Sequence, residues 1–197
     1  MKKLFLTLTA VTALTLASNA QTEQGKFLVG GQVGFESSKV KDTDVKNTGF
    51  SINPTIGYFV SDNWAVGTAV GYGWEKAEAT KDASVTTDAF KVAPFVRNYV
   101  GNGQFRFFSQ LSVPMSWGKV TSELASVETE TKQNKYGVEI APGFAFFPTS
   151  NIGIELKVRG LYYESKENKV ADTKVRTNSF GLDANSLAPT LGVQFHF

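Results

Sequence analysis

One histidine and no cysteine among 197 residues leave this sequence few ways to do covalent or metal chemistry. His196 is next to last, and a Ser–His–acid arrangement needs its base beside the nucleophile. No serine is placed to meet it. A metal would find only carboxylates, because one histidine cannot build an N/S site. "DTDVKN" (42–47) starts like a calcium loop, but Lys46 and Asn47 stand where Asp/Asn and Gly are required. "GGQVG" (30–34) lies inside a strand-like run, so its glycines are no dinucleotide fingerprint. Catalysis and cofactors are therefore not expected. The informative polar set is Arg97, Arg106, Glu139, Glu155, Lys157 and Arg159. These charges share a face with glycine, alanine and small polar residues. Buried charges must be paired, so they are expected to form an interior ion network. That network would plug the interior or, in the alternative, line a conducting path.

The elements that must position those charges are strands. Eight segments alternate, with one apolar parity each, and period 2 over such lengths marks β structure. They begin with Phe27–Phe35, Phe50–Val60, Trp64–Trp74 and Phe90–Val96. Phe105–Trp117, Tyr136–Phe146, Ile152–Tyr162 and Leu187–Phe197 complete the set. Short turns (61–63, 101–103, 149–151) alternate with long polar stretches (37–48, 75–88, 119–135, 165–185). That suits antiparallel strands running up and down, with loops gathered at one end. The long stretches read as solvated loops. In the alternative they continue as strand, because "VTSELASVETET" (120–131) still alternates. A repeat near 45 residues, marked by prolines at 54, 94, 142 and 189, holds two strands per unit and not the four of a propeller blade. Proline cannot donate to a ladder, so local bulges are expected at these positions.

The two faces differ in kind. A narrow closed barrel needs small residues inside, because eight strands leave an interior that side chains fill. The apolar parity instead gathers its aromatics at strand ends. One rim would hold Phe35, Phe50, Tyr72, Trp74, Phe90, Trp117, Tyr136 and Tyr162. The other would hold Phe27, Tyr58, Trp64, Phe105, Phe107, Phe146, Phe195 and Phe197. Two aromatic girdles around an aliphatic band mark a lipid-facing surface. Strands of roughly 9–11 tilted residues are long enough to cross.

"MKKLFLTLTAVTALTLASNA" has the charged start, apolar centre and small-residue end of a cleaved secretory leader. The expected organisation is a signal peptide at 1–20 and one barrel domain at 21–197. The net charge of +2 falls to zero once Lys2 and Lys3 leave with the leader. A neutral chain offers no electrostatic footprint for nucleic acid.

Leader, alternating strands, short turns at one end, long loops at the other and a terminal Phe197 together resemble bacterial outer-membrane β-barrels. By size the chain resembles the small OmpX/Ail and OmpA-barrel group of the "porin family". A glutamine start after cleavage is reminiscent of exported Bacteroidota proteins. The resemblance implies an all-β, eight-stranded antiparallel up-and-down transmembrane barrel in the outer membrane. It also implies that Leu191, Val193, Phe195 and Phe197 form the C-terminal signal read by the barrel assembly machinery. The expected role is non-enzymatic, structural or surface-interacting (adhesion or resistance), for a monomer in outer-membrane lipid whose surface or host partner is unknown. The alternative is a narrow porin-like channel for small or hydrophobic solutes.

Overall fold

The computed structural model describes residues 22–41, 43–80, 82–125, 127–170, 173–183 and 190–196. The expected leader, Pro189 and Phe197 lie outside the described residues, as does the side chain of Leu191. Alternation becomes β structure throughout: β1 (Phe27–Lys39), β2 (Lys46–Ser61), β3 (Trp64–Thr80), β4 (Ala83–Val100), β5 (Phe105–Ser112) and β6 (Met115–Leu124). The remainder are β7 (Val127–Phe146), β8 (Ile152–Lys157), β9 (Gly160–Val170), β10 (Thr173–Asp183) and β11 (Thr190–His196). All pairings are antiparallel. The segments make an eight-stranded closed barrel, in which β5/β6, β8/β9 and β10/β11 each share one position in the wall.

The short-turn end is the closed end. There the ring passes through β1, β2, β3, β4, β5, β7, β8 and β11, and it closes with Leu28 opposite His196 and Gly31 opposite Val193. Toward the other end, β6 continues β5, β9 continues β8, and β10 pairs with β9. Among the described residues, β1 beyond Gly31 pairs only with β2, and β10 only with β9. The turn at the closed end from β2 to β3 has two residues. Asn63 adopts φ 65 there, a left-handed conformation that asparagine tolerates, next to a register shift between Phe59 and Ser61.

The stretches expected as loops are mostly strand. Thr80 pairs with Ala83, Leu124 with Val127 and Val170 with Thr173, so the hairpins stay laddered almost to their tips. Threonine, valine and alternating charge suit a two-sided wet ribbon as well as a loop, and cross-strand pairing decides for the ribbon. At about 3.3 Å per residue, the 20 residues of β7 run far beyond an apolar band about 25 Å tall.

The expectation of bulges at the prolines holds at one described site only. Opposite Pro94 the ladder skips Val113 and Pro114, yet β5 and β6 keep one register against both neighbours. Opposite Pro142 the register does shift: Gly143 pairs with Lys157, but Ile140 pairs with Leu161. Gly160 absorbs the extra residue at φ +68, and a Cβ there would sit 2.8 Å from Pro142 Cδ. The bulge reverses side-chain parity, which corrects the placement of Tyr162. Its ring turns into the barrel beneath Arg159, and Leu161 and Tyr163 face outward in its stead.

Candidate functional site: the barrel interior

Alternation delivers Arg97 from β4, Gln110 from β5 and Glu155 from β8 into the lumen. The Arg97 and Glu155 side chains are each about 4–5% exposed. Arg97 Nη1 donates to both Glu155 carboxylate oxygens at 2.7 and 2.9 Å. Its Nε and Nη2 donate to Gln110 Oε1 at 3.0 and 2.7 Å. Tyr99 closes the group: its hydroxyl accepts from Arg97 Nη1 and donates to Glu155 Oε1, both at 2.8 Å. The guanidinium also lies 4.4 Å from the Phe108 ring centroid.

Below this group lies an aromatic floor of Phe59, Tyr99, Phe108 and Phe147, buried together with Leu28. His196 is enclosed within it, 5.1 Å from Phe147 and 5.6 Å from Phe59 between ring centroids. These inward aromatics went unread in the alternation. The signal was available as adjacent pairs at one end of the strands: Tyr58-Phe59, Phe107-Phe108 and Phe146-Phe147. Two consecutive large residues in a strand must take opposite faces.

The six charges divide into separate groups. Arg97 and Glu155 hold each other. Arg159 meets Glu139 at 3.4 Å and Glu164 at 3.0 Å, with its Cζ 3.7 Å from the Tyr162 centroid. Glu164, just beyond the expected end of the seventh strand, completes that group. Arg106 lies at the short-turn end, where it donates to Asn63 Oδ1 at 2.8 Å and to Thr22 Oγ1. Lys157 lines the space above the Arg97 group with Glu139 and Arg159. That space is a polar cavity of about 460 Å³, running from Gln194 and Glu155 up to Ser116 and Lys135.

On the outer surface, Phe35, Phe50 and Trp74 stand side by side across three strands. Phe90 and Trp117 stack next to them at 6.5 Å, and Trp117 Nε1 donates to the Tyr136 hydroxyl at 3.1 Å. At the other rim, Phe105 stacks on Phe146 at 4.8 Å, and Tyr58 packs on Phe27 at 5.1 Å. Trp64 opens β3 at that level, exposed. Val193 is exposed and Phe195 half-buried, and both pair with β1 and β8.

The sequence model of one family, the outer membrane protein beta-barrel domain, matches residues 6–195. The chain belongs to that family. Membership places it among outer-membrane barrels and agrees with the closed eight-stranded wall. Among solved structures, this family member is similar to the outer membrane protein OprG from Pseudomonas aeruginosa. Identity is 14% and TM-score 0.54, over 92% of this chain and 99% of that one. Neisserial surface protein A matches at 14% identity and TM-score 0.48, over 88% and 98%. Ail of Yersinia pestis matches at 17% identity and TM-score 0.32, over 88% and 99%. At these identities the likeness to OprG is one of fold. Comparison with curated protein sequences finds no match.

Proposed function

We propose that this outer-membrane barrel is non-conducting and non-enzymatic, and that it acts structurally or as a surface-interaction protein through its long hairpins. The observation that carries the reading is the buried Arg97–Glu155 pair, bonded across the lumen with Gln110 and Tyr99 above a buried aromatic floor. A permeant ion would have to break a desolvated ion pair and then pass a layer of packed rings. The only histidine in the sequence lies within that floor, at the short-turn end. With short turns at the periplasmic side and long hairpins outside, as such barrels are oriented, β3/β4, β6/β7 and β9/β10 stand above the membrane as a laddered sheet. Its partners would be outer-membrane lipid, the assembly machinery during insertion, and an unidentified surface or host molecule, for a barrel acting as a monomer.

The competing reading, a narrow channel, draws on the polar cavity above the plug. Planar-bilayer conductance of the refolded, heat-modifiable barrel separates the two. Silence from a folded sample is the expected result. Stable, reproducible steps would overturn the plug and make the charges a path.

A further inference from the structure

Above the aromatic rim the outer wall carries an arrangement that strand pairing normally avoids. Lys119 of β6 stands directly opposite Lys132 of β7. Lys132 stands opposite Lys169 of β9, and Lys169 opposite Lys174 of β10. Four lysines thus lie abreast on four neighbouring strands, at about 4.8 Å between strands. Like charges directly opposite destabilise a sheet, and here three such pairs are contiguous. The row's ends have carboxylates: Lys119 meets Glu130 at 3.6 Å and Lys174 meets Glu167 at 3.5 Å. For Lys132 and Lys169, no carboxylate among the described residues lies within ion-pair distance. Arg176 adds a fifth cation beside Glu167.

The row's height says what covers it. Lys119 shares its face with Trp117, one side-chain step nearer the hairpin tip, and Trp117 belongs to the rim that includes Phe90 and Tyr136. An aromatic rim marks the boundary between acyl chains and headgroups, so the lysines emerge at headgroup level. Their long stems suit that position, because they lie on apolar wall while the ammonium reaches the polar layer. A groove of about 460 Å³ runs along the row between Trp117 and Lys174, with Glu130 and Glu167 at its sides. Two phosphates fit along a row about 14 Å wide.

We infer that the Lys119–Lys132–Lys169–Lys174 row binds the phosphate groups of a phosphorylated lipid in the outer leaflet. Lipid phosphate supplies the anion that Lys132 and Lys169 lack, so the repulsion within the row becomes lipid affinity. The inference rests on the membrane-barrel reading above, but not on the plug.

The test uses the full mature chain refolded into phosphatidylcholine vesicles, with or without diphosphorylated lipid A. Unfolding temperature is read from the loss of the heat-resistant gel band. Lipid A should raise it by about 5 °C, and added salt should remove most of the rise. K132Q/K169Q should lose the rise. K39Q/K46Q, which changes an opposed lysine pair at the β1–β2 tip, should keep it. An equal rise in K132Q/K169Q overturns the assignment, as does an equal rise with dephosphorylated lipid A. Inorganic phosphate reproducing the rise in plain vesicles would replace the lipid with a free ion. If K132Q/K169Q does not fold, the salt titration of the unmodified chain decides, and a salt-insensitive rise overturns the proposal. A heat-resistant band absent from every vesicle would sink the membrane reading itself, whereas a folded band blind to lipid phosphate sinks only this inference.

Discussion

Replacing Glu155 by glutamine tests whether the Arg97 pair is held in a dry lumen. Shape is nearly conserved, so the change falls on charge and hydrogen bonding. The Glu155 carboxylate accepts two bonds from Arg97 Nη1 and one from the Tyr99 hydroxyl. An amide keeps one acceptor and turns a donor toward groups that already donate. It also leaves the Arg97 charge unbalanced, since Glu139 is engaged by Arg159. Breaking one half of a buried pair costs about 3–5 kcal/mol. For a chain of this length that corresponds to a fall in unfolding temperature of about 6–20 °C. The assay is urea unfolding of the refolded barrel followed by tryptophan fluorescence, run as a double-mutant cycle with Arg97→Met. R97M/E155Q should be more stable than E155Q, because removing both charges also removes the desolvation penalty. If E155Q costs under about 1 kcal/mol, the pair behaves like an exposed one. Water would then reach it, and the plug argument would fall with it.

Two further outcomes follow from contacts elsewhere. Gly143 faces Phe108 across the β5–β7 ladder, and a Cβ at 143 would press on the ring, with Cε1 at 2.7 Å. G143A should therefore displace the ring on which Arg97 rests and lower stability by about 1–3 kcal/mol; an unchanged urea midpoint would refute that seating. On the outer part of β3, a hydrogen bond and the positive charge of Lys76, 2.9 Å away, hold the Glu78 carboxyl below its ordinary value of 4.5. A lowered folded value means the contribution is present above the ordinary carboxylate range and disappears as pH falls through the lowered one. Side-chain carbonyl NMR should give a Glu78 midpoint below 4.5, and K76Q should move it upward; a midpoint at or above 4.5 would count against the contact.

Much of the wall is legible because alternation is a physical constraint. A strand facing lipid on one side must place its apolar residues at every second position, and Trp64 to Trp74 does so across the whole band. Legibility fails where a local rule has two solutions. The Arg159–Gly160 bulge swaps the roles of Tyr162 and Tyr163, and no period-2 reading anticipates one extra residue. The polar hairpins carry the threonine and charge of a loop and the alternation of a strand. Their pairing is settled by partners across the turn, which composition does not reveal. The bond from Arg97 to Glu155 joins residues 58 positions apart. The sequence marks both as inward charges, but only the curvature of the closed wall brings them face to face, whereas Arg106, also inward, is taken by the short-turn end.

The buried Arg97–Glu155 pair and the pairing of β1 with β11 occupy the same half of the molecule, and the reason is dielectric. A buried ion pair needs surroundings that exclude water and hold both partners still. Arg97, Gln110 and Glu155 sit where β1 and β11 complete the ring. Beyond Gly31 the described wall is laddered from β1 round to β10, with both of those strands paired on one side only. Val33, Phe35, Phe180 and Leu182 there are 69–77% exposed, against 42–43% for Ile52 and Phe50 further along the wall. Charges in that upper half are more exposed, Arg159 at 35% against 4% for Arg97, and several line a cavity. The aromatic floor and the buried Arg97–Glu155 pair therefore act together at the closed end. The described charges of the outer half remain accessible, and that is the half a surface or lipid partner would meet.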